Sequence, residues 1–219
     1  MTAMRLFIGA RVSLATVRAL DEAVQAMRRV EGAVRPRWVA PATYHVTLKF
    51  LGWSRPEVVE GLRDRVGAAL GGVRAVEIEC RGLGGFPSVE KARVVWAGID
   101  PAGAGRLGEM VERIERATGE LGFAREKRAW HGHVTLGRLK TPADVRGLLS
   151  AVSEQTYRHS WVDSLVLFES QMKKDGSEYT EIASWPLESD SRSSRRHTAA
   201  VEHDQSGSQE TADGDKYDD

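Results

Sequence analysis

The feature that most constrains this chain is a tetrapeptide that occurs twice, as His45-Val46-Thr47-Leu48 and as His133-Val134-Thr135-Leu136. Both copies alternate in polarity and are rich in β-branched residues, which favours a β-strand. Because side chains on a strand alternate between two faces, the His and Thr of each copy share one face, and the Val and Leu share the other. Each copy therefore presents an imidazole and a hydroxyl together, opposite an apolar face that can enter a core.

The first copy lies between two predicted helices. Apolar residues at helical spacing predict one helix over residues 13–31, and the copy itself falls in a predicted strand over residues 44–51. Ser54 and Glu57 are spaced as a capping box, which indicates the start of a second helix that ends near Gly71. The order helix, strand, helix therefore surrounds the first copy.

The second copy has a similar setting. Predicted strands at residues 76–80 and 94–99 flank a glycine-rich connection over residues 82–88, and a further helical pattern precedes the predicted strand at residues 131–139. Thr141, followed by proline, is typical of the N-cap of a short helix. The repeated order indicates a duplication.

The predicted domain covers residues 1–187 and consists of two related halves, residues 1–72 and 73–187. Two final strands, at residues 161–170 and 179–185, are expected to pair across a turn at residues 174–176. From residue 188 to 219 the chain has nine acidic and four basic residues with few large apolar side chains. Such a segment cannot bury enough surface to order itself, so we expect a disordered acidic tail.

Composition narrows the functional classes. Residues 1–187 contain 27 basic and 22 acidic residues, an excess that favours an anionic ligand but is too small to indicate a duplex-DNA binder. No apolar run approaches the ~20 residues that span a bilayer, and the start of the chain does not resemble a signal peptide. The single cysteine, Cys80, can form neither an internal disulfide nor a cysteine metal site. We therefore expect a cytoplasmic protein with no membrane association.

Pairing the two halves about an approximate twofold axis would bring two imidazoles and two hydroxyls into one groove. A histidine titrates near pH ~6.5, so one ring can accept a proton while the other donates one. The hydroxyls can donate hydrogen bonds to phosphate oxygens where negative charge develops. This chemistry suits phosphodiester hydrolysis without a metal or other cofactor, with activity retained in a chelator and a bell-shaped pH profile.

The sequence resembles the 2H phosphoesterase superfamily, and more narrowly the bacterial RNA 2′,3′-cyclic phosphodiesterases, historically called 2′-5′ RNA ligases. The resemblance covers most of residues 1–187 and is specific because both motifs occur in order within matching flanks. One departure is Gly132, where the family often has proline immediately before the second motif. The matching segments are MRLFIGA, RWVAPATYHVTLKFLG, GLGGFP, ARVVWAG, HGHVTLGRLK and YTEIASWPL.

The resemblance implies an α+β fold with two lobes, in which two antiparallel sheets form a central V-shaped groove with helices on the outside. It also implies opening of an RNA 2′,3′-cyclic phosphate to a 2′-phosphomonoester. In this assignment His133 is the general base and His45 the general acid, although pseudo-symmetry makes the two nearly interchangeable. Thr47 and Thr135 would bind the phosphate.

Four further residues are candidate substrate contacts. Arg138 matches a basic position of the family, but strand alternation points it away from Thr135, so a bulge or the strand end must re-aim it. His131 shares the face of the second motif, and Lys49 shares the face of the first if the strand has no bulge. Phe86 could stack on a base. The competing interpretations are a surface histidine, a solvated lysine and a phenylalanine packed on the core.

Two other functions remain open at this point. The groove could bind RNA ends, or join them as a 2′-5′ ligase, with little hydrolytic turnover. A histidine–metal hydrolase is the other alternative, because His131 and His133 are close in sequence, but no neighbouring Asp, Glu or Cys completes a ligand set. The expected partner is RNA or a nucleotide with a 2′,3′-cyclic phosphate end. No obligate protein partner is indicated, and we expect a monomer because the duplication supplies its own internal pairing.

Overall fold

The computed structural model describes residues 2–153, 156–173 and 176–189. Most of the predicted acidic tail, and the turn at residues 174 and 175, lie outside the described residues. The strands and helices are β1 (Met4–Arg11), α1 (Leu14–Arg29), β2 (Arg37–Trp38), β3 (His45–Ser54), α2 (Val58–Leu70), β4 (Val76–Phe86), β5 (Ala92–Ile99), α3 (Pro101–Gly119), β6 (His133–Ala143), α4 (Arg146–Leu149), β7 (Thr156–Val162), β8 (Ser164–Lys173) and β9 (Gly176–Pro186).

The strands form one curled antiparallel sheet in the order β7-β4-β5-β6-β3-β1-β8-β9, with the short β2 pairing with β6. The expected two separate sheets are thus a single one, because β3 and β6 join at the pair Val46–Val134. The strands after residue 72 also do not all lie on one side of the junction between β3 and β6. The C-terminal strands β8 and β9 extend the part that contains β1 and β3, since β8 pairs with β1.

The helices and one face of the sheet share the main apolar core. Leu20 of α1, Leu62 of α2 and Ile114 of α3 pack in one cluster with Ile8 of β1 and Val46 of β3, and all five are fully buried. The motif histidines and threonines lie on the opposite face of their strands, away from the helices. In the described residues no helix is long and apolar enough to cross a membrane.

Helix α1 begins as predicted, with Ser13 as its N-cap and the Ser13 hydroxyl accepting a hydrogen bond from Thr16 N at 3.2 Å. The capping box predicted for α2 is wrong. Ser54 is the last residue of β3, which continues beyond Gly52, and its hydroxyl donates to Gly52 O at 3.4 Å. Glu57 precedes α2 without a side-chain cap.

The second half also departs from the prediction. Residues 82–86 are not a connection but the end of strand β4, paired with β5 as far as Phe86–Val94. Thr141 is not an N-cap, because it belongs to β6, and the following helix spans only Arg146–Leu149. Strand β7, for which the sequence predicts only the last two residues as strand, pairs with β4 at the edge of the sheet.

Candidate active site

Both motif strands contain a β-bulge at the same motif position. The pairing register slips by one residue after the motif threonine, at Leu48 in β3 and at Leu136 in β6. An extra residue reverses the face on which the side chains after it lie, and in β3 a second extra residue, Leu51, reverses the face again. The residue after each motif leucine therefore faces the core, and the next one faces the groove.

The two motif imidazoles are held in the same way. His45 Nδ1 lies 2.7 Å from Thr43 O, and His133 Nδ1 lies 2.7 Å from His131 O. Because a carbonyl only accepts, each ring must carry a hydrogen on Nδ1, which leaves Nε2 as the acceptor of the neutral ring. His45 Nε2 is within 3.0 Å of Thr47 Oγ1. Both rings are thus oriented for proton transfer at Nε2.

The two motifs meet at the centre of the sheet. Val46 and Val134 are paired in antiparallel orientation and both are fully buried, so the residues on either side of each valine lie on the opposite, groove face. Antiparallel pairing also brings the histidine of one motif towards the threonine of the other. The charge of His133 lowers the pKa of His45, as expected for two rings that share the groove.

The pKa values of both histidines are lowered. The pKa of His45 falls to about 4, mainly because the ring is buried and also because of the charges of His133, Arg138 and Arg11. Burial also lowers the pKa of His133, together with the charges of His131 and Arg138. Both rings are therefore mainly neutral at neutral pH before an anionic ligand enters.

An aromatic cluster surrounds His45. Its ring centroid lies 4.8 Å from that of Phe7, 5.1 Å from Tyr179 and 6.1 Å from Phe168. Phe7 and Phe168 are themselves stacked at 5.0 Å. The sequence does not predict these contacts, because they come from strands distant along the chain, and they explain the strong burial of the ring.

A cavity of about 270 Å³ opens beside His45 and is lined in part by Arg11, Thr43, Phe168 and Tyr179. Arg11 pairs with Glu181 at 2.9 Å, and its guanidinium lies 5.0 Å above the Phe168 ring. The volume is below the usual ~300–1,000 Å³ of small-molecule pockets, so it suits one part of a ligand.

A second aromatic cluster borders His133. The Phe86 ring lies 5.0 Å from that of His133 and 5.4 Å from that of His131, while Trp96 lies 4.9 Å from His131. His131 therefore lies next to the second motif, as predicted from strand alternation, and Phe86 lies there too. The Trp96 ring covers Gly84, where a Cβ would come within 2.3 Å of it.

The two predicted basic contacts have different positions. The bulge at Leu136 turns Arg138 towards the groove, where it is exposed and its charge lowers the pKa of both motif histidines. Lys49 does not face the groove, because the bulge at Leu48 turns it into the core. It is only 4% exposed, and its Nζ contacts Glu115 at 2.6 Å and Ala124 O at 2.7 Å. The expectation that Lys49 contacts substrate is thus corrected.

Trp130 links the two motifs. Its Nε1 donates a hydrogen bond to Thr47 O at 3.0 Å, from a position three residues before His133. The same indole occupies the space beside Gly132, where a Cβ would come within 2.9 Å of the ring. Glycine at this position therefore accommodates the Trp130 indole.

Metal ligands do not cluster in the described residues, where no group of three or more His, Cys, Asp or Glu side chains is placed to hold an ion. The groups gathered at the groove are two imidazoles, two hydroxyls and a guanidinium. Together they can transfer protons and bind an oxyanion.

These features define a protein with an antiparallel sheet and a paired-histidine groove. The model of the 2′-5′ RNA ligase superfamily matches residues 16–173, which is more than half of the chain. The chain belongs to this superfamily.

Two relatives of this chain share the name RNA 2′,3′-cyclic phosphodiesterase. An RNA 2′,3′-cyclic phosphodiesterase of Aeropyrum pernix is 37% identical over 118 residues, which are 53% of this chain and 64% of that relative, slightly under two thirds of its length. Another protein of the same name, from Aquifex aeolicus, is 24% identical over 85% of this chain and 99% of its own length.

Solved structures share the fold. A Thermus thermophilus protein superposes with a TM-score of 0.69 at 24% identity, over 84% of this chain and 98% of that one. E. coli LigT complexed with 3′-AMP superposes with a TM-score of 0.66 at 21% identity, over the same shares of the two chains.

Proposed function

We propose that this protein hydrolyses RNA 2′,3′-cyclic phosphate ends to 2′-phosphomonoesters without a metal. The observation that supports this most directly is the matched orientation of His45 and His133. In each ring Nδ1 donates to a backbone carbonyl, so that Nε2 is the atom that can accept a proton, and at His45 the Thr47 hydroxyl donates to Nε2 at 3.0 Å in this structure. The names of the relatives support the same substrate. The paired imidazoles supply the acid and the base that such a reaction needs.

In the proposed reaction, water attacks the phosphorus atom opposite O3′. One imidazole accepts a proton from the water at Nε2. The other, protonated once the anionic phosphate is bound, donates a proton to O3′ as the P–O3′ bond breaks. The products are a 2′-phosphomonoester and a free 3′-hydroxyl, and the two rings have exchanged protonation states, so solvent must restore them before the next cycle.

The remaining groups at the groove bind the phosphate in this proposal. Thr47 and Thr135 donate hydrogen bonds to the non-bridging oxygens, and Arg138 holds the negative charge. Phe86 and His131 border the nucleotide on the second side. The cavity beside His45 is of a size to hold part of the terminal nucleoside.

The environments of the two rings favour His45 as the base and His133 as the acid, which reverses the assignment expected from sequence. Burial, together with the charges of His133, Arg138 and Arg11, lowers the pKa of His45 to about 4, so that ring stays neutral. A substrate with sulfur in place of O3′ tests this, because a thiolate leaves without protonation. On that substrate the loss caused by His133→Ala should largely disappear, while the loss caused by His45→Ala should remain. The opposite pattern would restore the original assignment.

We further propose that the fold is a duplication with two lobes, in which β3-β1-β8-β9 and β6-β5-β4-β7 lie on either side of an approximate twofold axis. In this proposal the protein is a cytoplasmic monomer without a cofactor.

The central experiment follows an oligonucleotide that ends in a 2′,3′-cyclic phosphate, in the presence of a chelator, and separates 2′- from 3′-phosphate products. Wild type should give the 2′-phosphate, and His45→Ala or His133→Ala should lower kcat by about 10²–10⁴-fold. His159→Ala, at an exposed histidine outside the groove, is the matched control. Near-normal turnover by either motif variant, or binding without product, would contradict the proposal. Loss of activity in the chelator, restored by a metal, would favour the metal hydrolase.

A further inference from the structure

Two large aromatic side chains are exposed on β3 just beyond the first motif. Phe50 is 63% exposed and Trp53 is 73% exposed, although both belong to a strand in the middle of the sheet. Large aromatic residues usually bury most of their surface, so two of them exposed on one strand suggest a surface that binds something.

Both side chains lie on the groove face. The Phe7 ring is 4.8 Å from the His45 ring and 6.1 Å from the Phe50 ring, so these three rings share one face of the sheet. Trp53 is paired with Arg5, which lies two residues before Phe7 on the same face of β1. An aromatic path therefore begins at His45, passes Phe7 and Phe50, and ends at Trp53.

The chemistry of this path fits single-stranded RNA better than a protein surface. Bases stack on exposed aromatic rings whatever their sequence, and cations beside the rings attract the backbone phosphates. Arg5, which is exposed, lies next to Trp53, and Arg138 lies at the other end of the path beside the motif histidines. The path is also continuous with the groove where the phosphate would be bound.

We propose that the Phe50–Trp53 surface binds the nucleotides that precede the cyclic phosphate, so that the protein acts on the ends of RNA chains in preference to mononucleotides. This inference rests on the proposed function. The terminal phosphate lies between the two histidines, and the chain runs along β3, with bases stacked on Phe50 and Trp53. Thr47 pairs with Gly9 and Trp53 pairs with Arg5, so the two positions are four residue steps apart along β1. At about 3.3 Å per residue this is roughly 13 Å, which is room for a few nucleotides.

The test compares kcat/KM for a 2′,3′-cyclic mononucleotide with that for an oligonucleotide that ends in the same cyclic nucleotide. Wild type should prefer the oligonucleotide. Trp53→Ala should lower the ratio of the two kcat/KM values by about tenfold, and Phe50→Ala by a similar factor, because each removes one stacking contact. Trp53→Tyr should recover most of the ratio. Leu14→Ala, at a 75% exposed leucine on α1, is the matched control and should leave both values unchanged.

Three results would overturn the inference while the proposed function stands. The first is a wild type that hydrolyses both substrates equally well. The second is a Trp53→Ala variant that loses activity equally on both, which would indicate a structural role. The third is a wild type that is dimeric and a Trp53→Ala variant that is monomeric with an unchanged ratio, which would make the surface an interface between copies. If wild type hydrolyses neither substrate, the proposed function itself fails, and this inference with it.

Discussion

The two motif strands begin alike and then diverge. In both, the histidine Nδ1 donates to the carbonyl two residues earlier, and a bulge follows the threonine. After the bulge, β3 continues with Lys49 and Phe50, whereas β6 continues with Gly137 and Arg138. The two strands therefore share the histidine, the threonine and the bulge. They differ in the two residues that follow the bulge.

The two halves differ in the direction of the basic side chain that follows each motif. In the second half Arg138 faces the groove, and Gly137 faces the core against Trp38, whose ring a Cβ would approach to 2.9 Å. In the first half Lys49 faces the core in an ion pair with Glu115, and the groove position belongs to Phe50. One half therefore places a charged side chain in the groove, and the other places an aromatic ring there.

The largest effect is expected at Lys49. Removing one partner of a buried ion pair leaves an uncompensated charge, so Lys49→Ala should lower the free energy of unfolding by about 3–5 kcal/mol. Denaturant unfolding measures this, with Arg65→Ala as a control at an exposed ion pair with Glu120. KM at low temperature should hardly change. A stable variant with a raised KM would instead place Lys49 at the substrate, and would contradict the statement that only Arg138 of the two faces the groove.

Arg138→Ala should act in the opposite way. Loss of the guanidinium should lower kcat/KM by about 10²-fold, since one charged group no longer holds the phosphate, while stability stays within about 0.5 kcal/mol. Arg138→Lys should recover only part of the activity, because lysine cannot bind two phosphate oxygens at once. Steady-state kinetics on a cyclic mononucleotide gives the measurement. An effect no larger than that of Phe50→Ala would mean that the two halves do not differ as described.

Trp130→Phe tests whether the hydrogen bond between the two motif regions matters for activity. The hydrogen bond to Thr47 O is lost, at a cost of about 1 kcal/mol, and the smaller phenyl ring lacks the outer indole atoms that lie beside Gly132. If Trp130 positions the two motifs, kcat should fall several-fold with little change in KM, and the pH profile should keep its shape. An unchanged kcat with lowered stability would make Trp130 a packing residue only.

The smallest effect concerns acid stability. The pKa of His45 is about 4 in the folded protein and near 6.5 in an unfolded chain, so its contribution is complete above pH 6.5 and is lost as the pH falls towards 4. Stability should fall by about 1 kcal/mol over the first pH unit below ~6.5. His45→Gln should flatten this part of the curve more than His133→Gln does. Equal slopes in both variants would show that the two rings are equally desolvated.

The sequence predicts the motif strands and their inward-facing residues well, because polarity alternation and the repeat are local signals. It also predicts helix α1, from its apolar spacing and its serine N-cap. The bulges at Leu48 and Leu136 could not be predicted, since a bulge depends on the neighbouring strand. For this reason strand alternation assigns Lys49 to the wrong face. Alternation alone also points Arg138 away from the groove, and only the bulge turns it towards the groove.

Contacts between strands that are distant along the chain account for the other differences between the sequence prediction and the structure. The glycines of residues 82–85 look like a loop by composition, but they are strand residues, and Gly84 is small because Trp96 covers it. Ser54 and Glu57 have the right spacing for a cap, but β3 extends to Ser54 because β1 continues to pair with it. The aromatic cluster around His45 draws on β1, β8 and β9, so no single segment indicates it.

The junction at Val46–Val134 has a mechanical consequence. With one residue pair joining β3 to β6, the width of the cleft depends on few backbone hydrogen bonds and mainly on the tethers made by Trp130 and Lys49. Changes in side-chain size at this junction should therefore alter the gap between His45 and His133 before they alter the strands on either side of it.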